Sequence, residues 1–134
     1  AKLADNAVTT AKITDANITA AKLASVNFAG NTLTDTSNTG SVTLDFATNQ
    51  NFVLTLTGNV TLANPTTEAV GQSGFIVFIQ DSTGSRTVSL GTDYETVGGS
   101  GLTLSTTAST TDVVPYIVVA SSRILLGTPQ LAFS

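Results

Sequence analysis

Nine carboxylates, two tyrosines, two arginines and many Thr and Ser hydroxyls are the groups this chain has for chemistry. Histidine and cysteine are both missing, which removes the commonest general base together with thiol nucleophiles, disulfides and zinc–thiolate sites. A nucleophilic Ser or Thr would have no imidazole to take its proton. The one close acidic cluster is Asp93-Tyr94-Glu95. Its two acids leave the backbone on the same side, whereas glycoside hydrolysis needs carboxylates that face each other across the bond. The cluster suits a cation or a sugar better: Tyr94 would stack on a sugar face while Asp93 and Glu95 accept from hydroxyls. A solvated loop without function accounts for the same residues. Arg86 and Arg123 adjoin turns and are candidates for contact with anionic sugars. No Gly-rich motif lies between a strand and a helix to cradle phosphate, and Gly98-Gly99-Ser100-Gly101 reads as a flexible turn. The expectation is a protein that is not an enzyme, with no catalytic residue, no metal site and no cofactor.

The elements that carry these residues follow from composition and pattern. The chain has 134 residues, which is room for one domain of about 100 residues with a short appended segment. Apolar residues make up 41% and charged ones only 10%, the opposite of a disordered composition. A net charge of −4, with Lys and Arg totalling five and scattered, argues against nucleic acid as a partner. No apolar run is long enough to span a membrane, and no signal peptide opens the chain, so no membrane insertion is expected.

Residues 1–30 repeat with a period of ten: AKLADNAVTT, AKITDANITA, AKLASVNFAG. Large apolar residues recur at every fifth position, at Leu3, Val8, Ile13, Ile18, Leu23 and Phe28. A step of five turns about 140° around a helix and alternates faces in a strand, so neither element alone explains the row. So few large side chains cannot bury themselves, and the simplest cover is another copy of the chain. A disordered linker and a pentapeptide-type solenoid are the competing readings, the second supported by Ala16-Asn17-Ile18. Lys2, Lys12 and Lys22 form a ladder, each followed three residues later by Asp5, Asp15 or Ser25. They read either as pairs that fix register between chains or as a solvated row that keeps the shaft soluble. The chain opens inside the repeat, from which more of the array is expected upstream.

Asn31–Gly40 has a single large apolar residue, Leu33, and reads as a linker over 31–40. From Ser41 the period becomes two, which places a β domain over 41–134. Val42, Leu44 and Phe46 alternate with polar residues, as do Phe52, Leu54 and Leu56 with Val53, Thr55 and Thr57. Gly58-Asn59 is a turn candidate. Phe75–Ile79 is apolar on both faces and reads as the most buried strand, hairpinned through Asp81–Ser85 to Arg86–Leu90. Leu102-Thr103-Leu104 alternates again, and Pro115 within Val113–Val119 suits an edge strand or a bulge. Tyr116, inside that apolar run, reads as core or interface. About nine or ten short strands and no convincing helix make an all-β fold, an antiparallel β-sandwich or jelly-roll-like domain. Some outward faces are apolar enough to pack against copies of the chain under closed cyclic symmetry.

Residues 52–62, FVLTLTGNVTL, and the run from Gly71 to Val88 together resemble the C-terminal β domain of tailed-bacteriophage fibre proteins. The run has the order Gly-Gln-Ser-Gly, a long apolar strand, then Gln80-Asp81-x-x-Gly84-x-Arg86-Thr87-Val88. Leu102–Ser105, Thr111–Tyr116, Leu126-Gly127 and Phe133 fit the same pattern, and Ala7–Asp15 is similar to shafts of such fibres. The chain departs from the pattern in having no Trp. The resemblance implies an extracellular virion appendage, an intertwined homotrimer in which the repeats form a shaft with the rungs Leu3 to Phe28 on the three-fold axis. It implies further virion proteins as partners through an upstream N-terminal region, on tail or head. The β domain would then attach to a host-surface glycan or protein, with Asp93, Tyr94, Glu95, Arg86 and Arg123 as candidate contacts. The alternatives are a purely structural trimerisation or docking module, and a secreted bacterial surface-adhesion or matrix module.

Overall fold

The computed structural model describes residues 30–134; the repeat array and its rungs Leu3, Val8, Ile13, Ile18, Leu23 and Phe28 lie outside the described residues. The described chain is all-β. Its strands are β1 (Thr32–Thr43), β2 (Asn51–Ala63), β3 (Ser73–Gln80), β4 (Val88–Leu90), β5 (Tyr94–Glu95), β6 (Thr111–Ala120), β7 (Arg123–Leu126) and β8 (Gln130–Phe133). They form one curled eight-stranded sheet in the order β1-β2-β3-β6-β7-β5, with β4 beside β2 and β8 beside β6.

The sheet is mixed, which corrects the antiparallel expectation. β1 with β2, β2 with β3, β2 with β4 and β5 with β7 pair parallel; only the pairings of β6 are antiparallel. A period of two reports which face of a strand is buried and carries nothing about its direction. The expected hairpin after β3 is absent for the same reason: the chain leaves Gln80 through a loop and β4 joins β2 instead.

The segment read as a linker is the first part of β1. It keeps register with β2 from Thr32↔Asn51 to Asp35↔Leu54, then bulges on either side of Asn38 before resuming at Gly40↔Val60. Asn38 is buried, and its Nδ2 donates to the Asp35 and Thr55 carbonyls at 3.0 and 3.1 Å. It thereby satisfies the backbone groups that the bulge unpairs. Opposite the bulge β2 bends. Phe52–Leu56 pair with β3 and Val60–Leu62 with β4, and Gly58 lies at the bend, where an added Cβ would run into the Thr39 side chain. Gly58-Asn59 is therefore the bend of one continuous strand and not a turn.

The concave side of the sheet holds the core. Phe52, Leu54, Leu56, Leu62, Ile76, Val114 and Ile124 are all 0% exposed. Phe46 packs edge-on against Phe52 and Tyr116 at centroid distances of 5.0 and 5.3 Å. The Tyr116 hydroxyl donates to the Gln50 carbonyl at 2.6 Å. Leu102 and Leu104 pack against this core from an irregular segment and not from a strand. Pro115 sits inside β6, where β8 pairing ends at Val113 and β7 pairing begins at Tyr116. Its carbonyl accepts the Gly127 N–H at 2.9 Å, and the N–H it lacks faces the same side, away from β3, so the β3–β6 ladder keeps its bonds.

Candidate functional site

β3 shows one face to the core and the other to the outside. Ile76 and Phe78 are buried, whereas Phe75 is 51% exposed, so β3 is not the most buried strand. In-register pairing extends this outer face sideways. Val53, Val77 and Val113 lie in one row across β2, β3 and β6, with Thr55, Ile79 and Thr111 in the next. Phe75 faces Pro115, and Ile117 faces Leu125 of β7. Ile117 and Val119 are exposed, and no carboxylate occupies an outward position on these stretches of β2, β3 or β6. The terminal β8 adds the exposed Leu131 and Phe133. The outer side of the sheet is thus a largely apolar surface, interrupted by threonines such as Thr55 and Thr111 and uncharged over three strands.

Asp93-Tyr94-Glu95 forms the corner where β5 meets β7. Tyr94 points inward and is 5% exposed, which corrects its reading as an open stacking platform for a sugar. Alternation across β5 sends the tyrosine to the core and leaves its two flanking acids outside. Burial, followed by the charges of Asp93 and Glu68, pushes the Tyr94 hydroxyl well above the usual phenol range. Glu95 accepts a bidentate pair from Arg123, Nε to Oε1 at 2.7 Å and a terminal nitrogen to Oε2 at 3.1 Å. That pairing holds the Glu95 carboxyl below its ordinary value. A shallow cleft of about 430 Å³ opens beside this corner, lined by Leu90, Gly91, Tyr94, Glu95, Thr96, Gly99 and Gly101. Gly98, Gly99 and Gly101 all have positive φ, which fits the turn expected there.

Arg86 is separate from that corner. Its guanidinium is occupied by Asp81, with Nε at 3.2 Å from both carboxylate oxygens and a terminal nitrogen at 2.8 Å. Asp81 Oδ1 also accepts the N–H groups of Thr83 and Gly84, and these bonds, Arg86 first, hold its carboxyl low. Gln80, buried at the end of β3, clamps the Arg86 backbone from both sides. Its Oε1 accepts the Arg86 N–H at 2.8 Å and its Nε2 donates to the Arg86 carbonyl at 2.9 Å. The Gln-Asp-x-x-Gly-x-Arg order is therefore a closed loop whose polar groups satisfy one another.

One buried carboxylate, Asp112, lies outside the candidate residues. Asp112 Oδ2 accepts the Ser105 N–H at 2.7 Å, and its Oδ1 accepts the Ser105 hydroxyl at 2.7 Å and the Ala132 N–H at 2.9 Å. It pins the irregular 101–106 segment and β8 to β6. The signal available for it was an acid at the opening of an apolar run, a position where a buried carboxylate needs several donors.

A family model described as "Putative phage tail fibre C-terminal domain" matches residues 32–120. The chain belongs to this phage tail fibre family. The match begins at the first residue of β1 and ends at the last of β6, so the segment read as a linker lies inside the fibre domain. No curated protein and no solved structure matches the chain. Membership makes the fibre domain part of a virion-associated structural protein.

Proposed function

We propose that the fibre domain assembles as a homotrimer through the outer face of β2, β3 and β6, and that the assembled appendage attaches the virion to its host. The observation that carries this reading is the apolar outer surface centred on the row Val53, Val77 and Val113. Parallel pairs such as β1–β2 and β2–β3 are typical of sheets covered on both faces. Among the described residues only one face is covered, and a second copy brings a similarly apolar, uncharged surface to the other. No catalytic role is proposed, since the chain lacks both histidine and cysteine. A thin trimeric shaft made by residues 1–30 belongs to the same proposal, as does docking to other virion proteins through a region upstream.

Attachment is the second half of the proposal, and the cleft beside β5 is its best-supported seat. Glu95 lines it and carries the exposed Arg123 on its carboxylate, and the Gly99 and Gly101 backbone offers hydrogen-bonding groups to a saccharide or a protein. Contact would be weak at one site and strong across copies. Light scattering of the full chain over a wide range of concentrations tests the assembly. A constant mass of three chains is expected, and a monomer at every concentration would overturn it. Loss of cell binding by an Arg123→Ala variant that keeps its mass would support the cleft as the attachment site.

A further inference from the structure

Among the described residues, two side-chain atoms are buried without a protein hydrogen-bond partner, Glu68 Oε2 and the Tyr94 hydroxyl oxygen. They belong to one place in the fold. Glu68 lies in the β2–β3 loop, and its other oxygen accepts the Ser122 N–H at 3.0 Å in the turn that opens β7. Tyr94 pairs in register with Ile124, two residues beyond Ser122, and the Ile124 N–H donates to the Asp93 carbonyl at 2.7 Å. The Glu68 carboxylate and the Tyr94 backbone are thus both held by the short stretch from Ser122, in the turn, to Ile124, in β7. The Glu68 charge is also among those that push the Tyr94 hydroxyl upward, after burial and Asp93.

Buried hydroxyl and carboxylate oxygens nearly always have a partner, and two orphans held by the same short stretch of chain are a usual mark of an internal water. We propose that one water molecule is bound between Glu68 and Tyr94. It accepts from the Tyr94 hydroxyl and donates to Glu68 Oε2, so that one molecule satisfies both groups. A ligand in the open cleft cannot take this role, because the Tyr94 oxygen is closed to solvent although its residue forms part of the cleft wall. The water ties the β2–β3 loop to the β5–β7 corner and keeps Tyr94, and with it Glu95, in place. The site lies inside one protomer and is independent of how copies assemble.

Oxygen-17 water relaxation dispersion on the full chain counts long-lived internal waters and tests the proposal. The Tyr94→Phe variant, which keeps the ring and loses only the hydroxyl, is expected to hold one fewer than the wild type and to melt several degrees lower. Glu68→Gln retains an oxygen acceptor and is expected to keep the water. Equal counts in the wild type and Tyr94→Phe would overturn the proposal. A high-resolution crystal structure of the wild type decides the matter should Tyr94→Phe fail to fold. Density for a water on both atoms supports the site, and a direct Tyr94–Glu68 hydrogen bond with no water between them refutes it.

Discussion

Placing a charge at Val77 is the sharpest test of the assembly surface. Val77 sits in the middle of the outer row, with Val53 and Val113 as its in-register neighbours. In an isolated protomer Val77→Lys is tolerable. The lysine stem can lie along its apolar neighbours while the ammonium reaches water, and the loss of β-propensity is at most about 1 kcal/mol. In the proposed trimer the same ammonium would be enclosed, and no outward carboxylate on β2, β3 or β6 is available to pair with it. An unpaired charge in an interface costs about 3–5 kcal/mol. That corresponds to a dissociation constant raised by roughly two to three and a half orders of magnitude. Sedimentation across a range of concentrations reads the shift, with circular dichroism to show that the protomer is folded. Ser82→Lys, in the exposed turn after β3, is the control and is expected to associate as the wild type does. If folded Val77→Lys associates as tightly as Ser82→Lys, the outer face is not the interface.

Other consequences are open to measurement. Asp112→Ala removes the acceptor of three hydrogen bonds at 2.7–2.9 Å from a buried position, so urea unfolding should register a loss of about 3 kcal/mol or more. A loss below about 1 kcal/mol would mean that water or Ser105 takes over the role. Gln80→Ala breaks both bonds to the Arg86 backbone and leaves a void at the end of β3, for an expected loss of about 2–4 kcal/mol. Arg86→Ala removes a partly exposed ion pair and should cost clearly less, an order that unfolding curves of the two variants can reverse. Stability should also fall at both ends of the pH scale. The Asp81, Glu95 and Asp45 carboxyls are held low by Arg86, Arg123 and Thr48 respectively. Their contribution is therefore complete above the unfolded carboxylate range near pH 4 and is lost as pH drops through the lowered folded values. Tyr116 is pushed up to about 12 by burial. Its contribution is complete below the unfolded phenol value near 10 and is lost between there and 12, at up to about 1.4 kcal/mol per pH unit. Unfolding midpoints that stay flat from pH 9 to pH 12 would contradict the burial of Tyr94 and Tyr116 (roughly the span over which phenols titrate).

What the sequence made legible is what local pattern encodes. The alternation of Phe52, Leu54 and Leu56 marked a strand with one buried face, and all three are 0% exposed. The apolar runs in β3 and β6 marked strands as well, but apolar side chains on both faces do not say that both faces are covered within one chain. β1 was hidden because Asn38 occupies a buried position where an apolar residue is expected, and two bulges break the period around it. Gly58-Asn59 has the composition of a turn, yet the glycine is required by the approach of Thr39 and not by a positive φ. Strand direction was illegible throughout, since it depends on where a connection crosses and not on the residues that pair. For the site, Asp-Tyr-Glu was read as an aromatic flanked by acids for binding. The same alternation of acid, tyrosine and acid also describes the start of a short strand with its tyrosine in the core.

The fibre domain has two kinds of polar cluster, and only one of them suits the proposed attachment role. Gln80 with Asp81 and Arg86, and Asp112 with Ser105 and Ala132, have their hydrogen-bonding groups turned upon one another. A receptor could engage Arg86 only by displacing Asp81, so Arg86 is better understood as part of the loop's own framework than as a contact. Glu95 and Arg123 also pair, but at the rim of a cleft and with about half of each side chain in solvent. Exposed pairs of this kind stabilise little and exchange partners readily. An incoming carboxylate or hydroxyl can therefore replace Glu95 on the guanidinium at small cost. Among the five candidate contacts, the proposed attachment role falls first on Arg123 and Glu95, with Asp93 beside them, since Tyr94 is buried in the core and Arg86 is held by Asp81.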